Sequence, residues 1–193
     1  MRDIPIKIVA IPTEIAASVR STGKAPRYGH PAHRDLATGY GPCRHCLRAF
    51  AKGKEDRVLF TYDPFQGGEN VPLPGPIYIH AEACERYQED GGYPEGLRQY
   101  PSVLSAYGPD QRLLMQMHVD NGEQPEAVRQ LFERDDVRYV HVRDKSAGCY
   151  DFRVERAEES RPPAPNRFLS TAVQAPSRAG VAFLCCACNI SML

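Results

Sequence analysis

Apolar residues recur along this chain with two different periods, and each period marks out its own elements. Alternation, the sign of a half-buried strand, runs through 58–63, where Val58, Phe60 and Tyr62 share a face, and through 76–80, where Ile77 and Ile79 do. It returns at 113–120, with Leu113, Met115, Met117 and Val119 opposite Gln116, His118 and Asp120, and again at 137–143 and 150–155. The DKSAG turn joins the last two as a hairpin, so Val140 and Val142 are expected to share a buried face with Tyr150, Phe152 and Val154. Helical spacing is confined to fewer places. Pro12 sets up a helix that runs to about Thr22 and stops at Gly23, and Pro125 opens another with Val128, Leu131 and Phe132 on one side.

The remaining stretches are read by their breakers. Residues 6–11 form a short apolar strand, and 24–42, rich in Gly, Pro and His, form a long ordered loop. PFQGGENVPLPG excludes regular structure between 58–63 and 76–80, which makes those strands an antiparallel pair with a wide connection. Residues 94–107 are expected to be helical in pieces, interrupted at Pro101. The sum is an α+β domain, residues 1–156, with a mainly antiparallel sheet and two or three packed helices. AEESRPPAPN then reads as a linker, and 157–193 as linker and weakly ordered C-terminal tail.

Composition narrows the classes of function. The chain has 24 basic and 24 acidic residues, so no net field recruits phosphate backbones or anionic lipid, and nucleic acid is an unlikely partner. The amino terminus mixes charges and prolines into its apolar residues, and the apolar end of the chain is too short to span a bilayer, so a cytoplasmic protein without a membrane partner is expected. Seven cysteines, unevenly spaced, fit a reducing compartment and turn attention from disulfides to metal or thiol chemistry.

Five blocks in order carry a resemblance: GHPAHRD from Gly29, GPCRHCLR from Gly41, LFTYDPF from Leu59, GPIYIHAEACERY from Gly75 and HVRDKSAGCYDFRVER from His141. Together they resemble a bacterial family known only as domain of unknown function 1203. The resemblance implies no activity, cofactor or catalytic residue. It ends at Arg156, and the segment beyond departs from the pattern.

The candidate chemistry therefore rests on the residues themselves. Cys43 and Cys46 form CxxC, able to hold one tetrahedral metal or to close a redox disulfide; His80 and Cys84 form HxxxC just past a strand. In an antiparallel pair the start of the first strand lies beside the end of the second. CxxC enters the first and HxxxC leaves the second, so Cys43, Cys46, His80 and Cys84 are expected to meet at one structural zinc. A small zinc-stabilised binding or regulatory domain is the leading reading. Its rivals are a CxxC thiol redox protein and a thiol-dependent enzyme that uses Cys149 or Cys46 with a nearby histidine. The enzyme reading needs the last three strands to adjoin, bringing Cys149, His141 and His118 to one polar face. Otherwise that face is simply solvated.

Overall fold

The computed structural model describes residues 4–39, 41–65 and 73–157. The expected tail after Ala157 lies outside them, as do Cys185, Cys186 and Cys188. Ten elements of regular α or β structure follow one another among the described residues: β1 (Ile6–Val9), α1 (Thr13–Thr22), β2 (His33–Leu36), β3 (Asp56–Tyr62), β4 (Gly75–His80), β5 (Ser102–Tyr107), β6 (Leu113–Val119), α2 (Gln124–Phe132), β7 (Tyr139–Asp144) and β8 (Tyr150–Arg156). They build two antiparallel sheets, one ordered β1-β8-β7-β5-β6 and a smaller one ordered β2-β3-β4. The sheets are antiparallel as expected and two α-helices lie among the described residues, so the fold is mainly β within a mixed class.

The chief displacement is at 94–107. Helix there is limited to a 3₁₀ turn at Glu95–Leu97, and the rest is β5, the strand between β7 and β6. All of β5 except Val103 is buried, so neither of its faces needs polar residues and the alternation that betrays other strands is missing. The long loop at 24–42 likewise contains β2, an edge strand whose His33, Arg34 and Leu36 are exposed. By contrast β3 and β4 pair as expected, with Val58 opposite Ile79 and Arg57 opposite His80. Helix α1 ends at Gly23, whose φ of 62° gives the left-handed cap that glycine adopts at no steric cost.

Two apolar clusters form among the described residues. One lies between the large sheet and α2, with Ile8, Leu104, Val128, Leu131, Phe132, Val140, Phe152 and Val154 at its centre. The other lies between α1 and the small sheet and includes Ile11, Ala16, Val19, Phe60, Ile77 and Ile79. Tyr150 belongs to this second cluster, which corrects its expected place beside Phe152 and Val154. The cause is a β-bulge: Val142 pairs with Phe152 but Arg143 pairs with Tyr150, leaving Asp151 as the extra residue and turning Tyr150 to the opposite face.

The bulge also places Asp151 where the CxxC loop can reach it. Arg44, between the two cysteines, is 3 % exposed and its guanidinium spans the sheets: Nε donates to the Tyr150 carbonyl at 2.9 Å, Nη1 to the Pro42 carbonyl at 2.7 Å, and Nη2 lies 2.8 Å from Asp151 Oδ1. Burial raises the Asp151 carboxyl to about 6, with the Arg44 charge opposing the rise.

The polar face of the large sheet is solvated only in part: His118 on β6 is exposed, while His141 on β7 is enclosed. His141 is 0 % exposed, and the rings of Phe65, Tyr107, Tyr139 and Tyr150 stand 4.9, 4.9, 5.1 and 5.0 Å from it. Among the described residues neither of its nitrogens has a hydrogen-bond partner, and burial, reinforced by Arg143 and Arg153, lowers its pKa to about 2. A buried imidazole in this state opposes folding below its unfolded pKa of about 6.5, because the unfolded chain takes up a proton that the folded one refuses. Stability associated with His141 is therefore intact above about pH 6.5 and falls as the pH is lowered towards the folded value. His141→Phe, which fills the same aromatic surroundings without unpaired nitrogens, should stabilise the fold by about 1–2 kcal/mol at pH 7. Its advantage should grow by about 2 kcal/mol at pH 5. Urea unfolding of both proteins at the two pH values checks this, and an advantage that does not grow on acidification would refute it.

Candidate metal centre

The CxxC is carried on a tight turn, not on a helix. Cys43 N–H donates to the Arg48 carbonyl at 2.9 Å and Leu47 N–H to the Cys43 carbonyl at 2.8 Å, while Leu47 takes a φ of 54°. Arg44 N–H reaches the Tyr78 carbonyl at 2.9 Å, laying the turn against β4. The thioredoxin-like arrangement, in which a helix N-terminus acidifies the first thiol, is absent here. The segment 47–57 does not carry the turn away: Ala49 bridges back to Pro42, and Ala81 N–H donates to the Asp56 carbonyl at 3.0 Å across the hairpin end.

The four residues expected at a metal come together. One ligand atom from each of Cys43, Cys46, His80 and Cys84 lies within 4.8 Å of all the others. Cys43 Sγ is 3.9 Å from Cys84 Sγ, and Cys46 Sγ is 3.4 Å from His80 Nδ1. A zinc tetrahedron of thiolates and one imidazole has edges of about 3.5–3.8 Å, so these donors need only small adjustments to close on a single ion. Such a cluster could hold a metal.

The electrostatics fit a cation as well. Hydrogen bonding with Cys46 and then Cys84 holds the Cys43 thiol far below its ordinary pKa, whereas the same contact with Cys43 pushes Cys46 far up. Three crowded sulfurs cannot all ionise unless positive charge joins them. Burial lowers the His80 pKa, but hydrogen bonds to Cys43 and Cys84 outweigh it and raise the value to about 10.

The surrounding groups were not legible in the spacing. His80 turns Nδ1 to the sulfurs, 3.4 Å from Cys46 Sγ, and Nε2 to Glu55 Oε2 at 3.3 Å and Arg48 Nη2 at 3.2 Å. Glu55 is itself fixed by Ala51 N–H at 2.6 Å and by Arg48 at 2.8 Å, giving the carboxylate-to-histidine support usual around metals. Helix α1 supplies the other side. Arg20 Nη2 donates to Cys84 Sγ at 3.3 Å and its Nε to the His80 carbonyl at 3.0 Å. His45 Nδ1 is also 3.3 Å from Cys84 Sγ, with its Nε2 3.1 Å from Thr13 Oγ1. The only sequence signal for His45 was its place inside CxxC, and for Arg20 and Thr13 there was none.

The rival constellation is dispersed. β5 separates β6 from β7, so exposed His118 pairs with Val103 while His141 pairs with Ser105 from the other side. Cys149 is half-buried, its thiol raised by burial, and its sulfur's partner is the Ala147 carbonyl at 3.8 Å. No histidine stands against it.

A two-sheet antiparallel domain with a Cys₃His cluster at the end of the smaller sheet is thus the class of protein defined here. A family profile described as protein of unknown function (DUF1203) matches residues 40–156, and the chain belongs to that family. The matched stretch contains all four clustered residues, while α1 and the GHPAHRD block precede it. No curated protein and no solved structure matches the chain. No helix among the described residues is long and apolar enough to cross a membrane.

Proposed function

We propose that this is a zinc-stabilised binding or regulatory domain, in which Cys43, Cys46, His80 and Cys84 hold one structural zinc ion. The observation that carries the reading is the convergence of four donor atoms within 4.8 Å, two from a turn and two from the end of β4. Sulfur and imidazole donors in tetrahedral array suit zinc, and four protein ligands leave no open position for a water nucleophile. The ion then acts by fixing the CxxC turn to the small sheet, and through Arg44 to the large one.

Elemental analysis of the full chain, purified without added metal, tests this. About one zinc per chain is expected, with Cys43, Cys46 and Cys84 becoming reactive to a thiol reagent only after chelation. Protein that folds with no bound metal and with those thiols equally reactive before and after chelation would overturn the proposal.

A further inference from the structure

The four ligands are unequally placed with respect to solvent. Cys43 is 0 % exposed beneath the turn, while Cys84 is only half-buried and, with His80, forms part of the wall of an open cavity of about 330 Å³. Arg34, Arg48 and Lys54 stand around the same cavity. Neither Cys43 nor Cys46 lines it. A small solute entering there meets one sulfur, which accepts from Arg20 Nη2 at 3.3 Å and has His45 Nδ1 beside it, also at 3.3 Å. Behind it, at 3.9 Å, lies the sulfur of Cys43.

We propose that Cys84 is an oxidation site at which a hydroperoxide opens the metal centre, with Cys43 as the resolving thiol; this rests on the zinc reading above. The Cys84 sulfur attacks the proximal oxygen of the hydroperoxide and the O–O bond breaks. The distal oxygen departs and takes up a proton, leaving Cys84 as a sulfenic acid. Arg20, whose Nη2 donates to the sulfur, and His45, whose Nδ1 lies against it, hold that sulfur in position for the attack, and Arg34, Arg48 and Lys54 stand around the cavity into which the oxygen departs. The Cys43 thiolate then attacks the Cys84 sulfur; the S–O bond breaks, a disulfide forms, and the second oxygen leaves as hydroxide and is protonated. Two thiolates lose two electrons in all, the hydroperoxide gains them, and the ion, deprived of two of its four ligands, is released. Buried Cys43 does not react first because the solute does not reach it, and Cys149 is held protonated by burial.

The experiment uses the full chain with its zinc content measured beforehand and about one equivalent of hydrogen peroxide. Zinc release is followed with a chromogenic chelator, and thiols and disulfides are mapped by peptide mass. Release of roughly one zinc per peroxide consumed, together with a Cys43–Cys84 disulfide, is the expected result. Arg20→Met, checked for full zinc occupancy, should release zinc about tenfold more slowly under peroxide. Zinc retained by oxidant-treated protein, first oxidation at another cysteine, or an Arg20→Met centre that opens as fast as the wild type would overturn the inference while leaving the structural zinc intact. Protein without zinc at the outset would overturn both.

Discussion

Cys43→Ser is expected to lose the metal and to lower the melting temperature by about 10 °C, on the scale of about 2–4 °C for each kcal/mol in a chain of this size. Cys43 is the ligand for which the fold has least freedom to compensate. Its sulfur accepts the His80 backbone N–H at 3.3 Å, its side chain is part of the apolar cluster of the small sheet, and its backbone closes the turn at both ends. Serine offers a harder, shorter donor that binds zinc poorly in place of thiolate. Once the ion is gone, the remaining sulfurs and imidazole stay crowded without the charge that united them, so the cost of the empty site adds to the lost binding energy. Cys149→Ser is the control, since its sulfur's hydrogen-bond partner among the described residues is the Ala147 carbonyl of its own turn, and its melting temperature should stay within about 2 °C of the parent. Thermal unfolding with parallel zinc analysis decides the matter; a Cys43→Ser protein that melts like the control would contradict it.

Arg44→Met should cost about 3–5 kcal/mol, the usual consequence of stranding one partner of a buried ion pair. The substitution abandons the Asp151 carboxylate and the carbonyls of Pro42 and Tyr150 in a place water does not reach. Asp151 Oδ1 has no aligned hydrogen bond, so the guanidinium charge is its chief compensation. With that charge removed, Asp151 should bind a proton at neutral pH, because burial already holds it at about 6 with Arg44 present. Adding Asp151→Leu to Arg44→Met should recover a large part of the loss, since an apolar pair carries no desolvation penalty. Chemical denaturation of the single and double variants provides the measurement, alongside zinc content, which should remain near one per chain in both. An Arg44→Met variant as stable as its parent would mean that the two sheets are not joined through this pair.

What the sequence disclosed follows the physics of exposure. Strands β3 and β4 were legible because one face of each is packed and the other is freer, and from their antiparallel pairing the meeting of Cys43, Cys46, His80 and Cys84 could be argued without coordinates. Strand β5 was not legible, because nearly all of its side chains are covered and SVLSAY then carries no period of two. Its misreading also undid the picture of His118, His141 and Cys149 on adjoining strands, since the strand that separates β6 from β7 was the one missed. The bulge at Asp151 inverted Tyr150 for a similar reason: one extra residue puts the side chain before it out of phase with Phe152 and Val154 after it, and no residue type announces it. Nothing in the sequence distinguishes Arg44, between two cysteines, from a solvated charge. Only the fold reveals that it points inward, away from the ligands on either side of it.

The boundary of family similarity has a practical consequence. A fragment cut at residue 40 would keep all four ligands and would pass any test based on the spacing of its cysteines. It would also remove β1, leaving β8 as an open edge paired only with β7, and remove the helix whose Arg20 faces Cys84. Ile8, wholly enclosed in the larger cluster, would leave a hole. The shortest stretch that can be recognised as this family is therefore not the shortest stretch able to keep its own ligands in place, and expression work should begin upstream of Ile6.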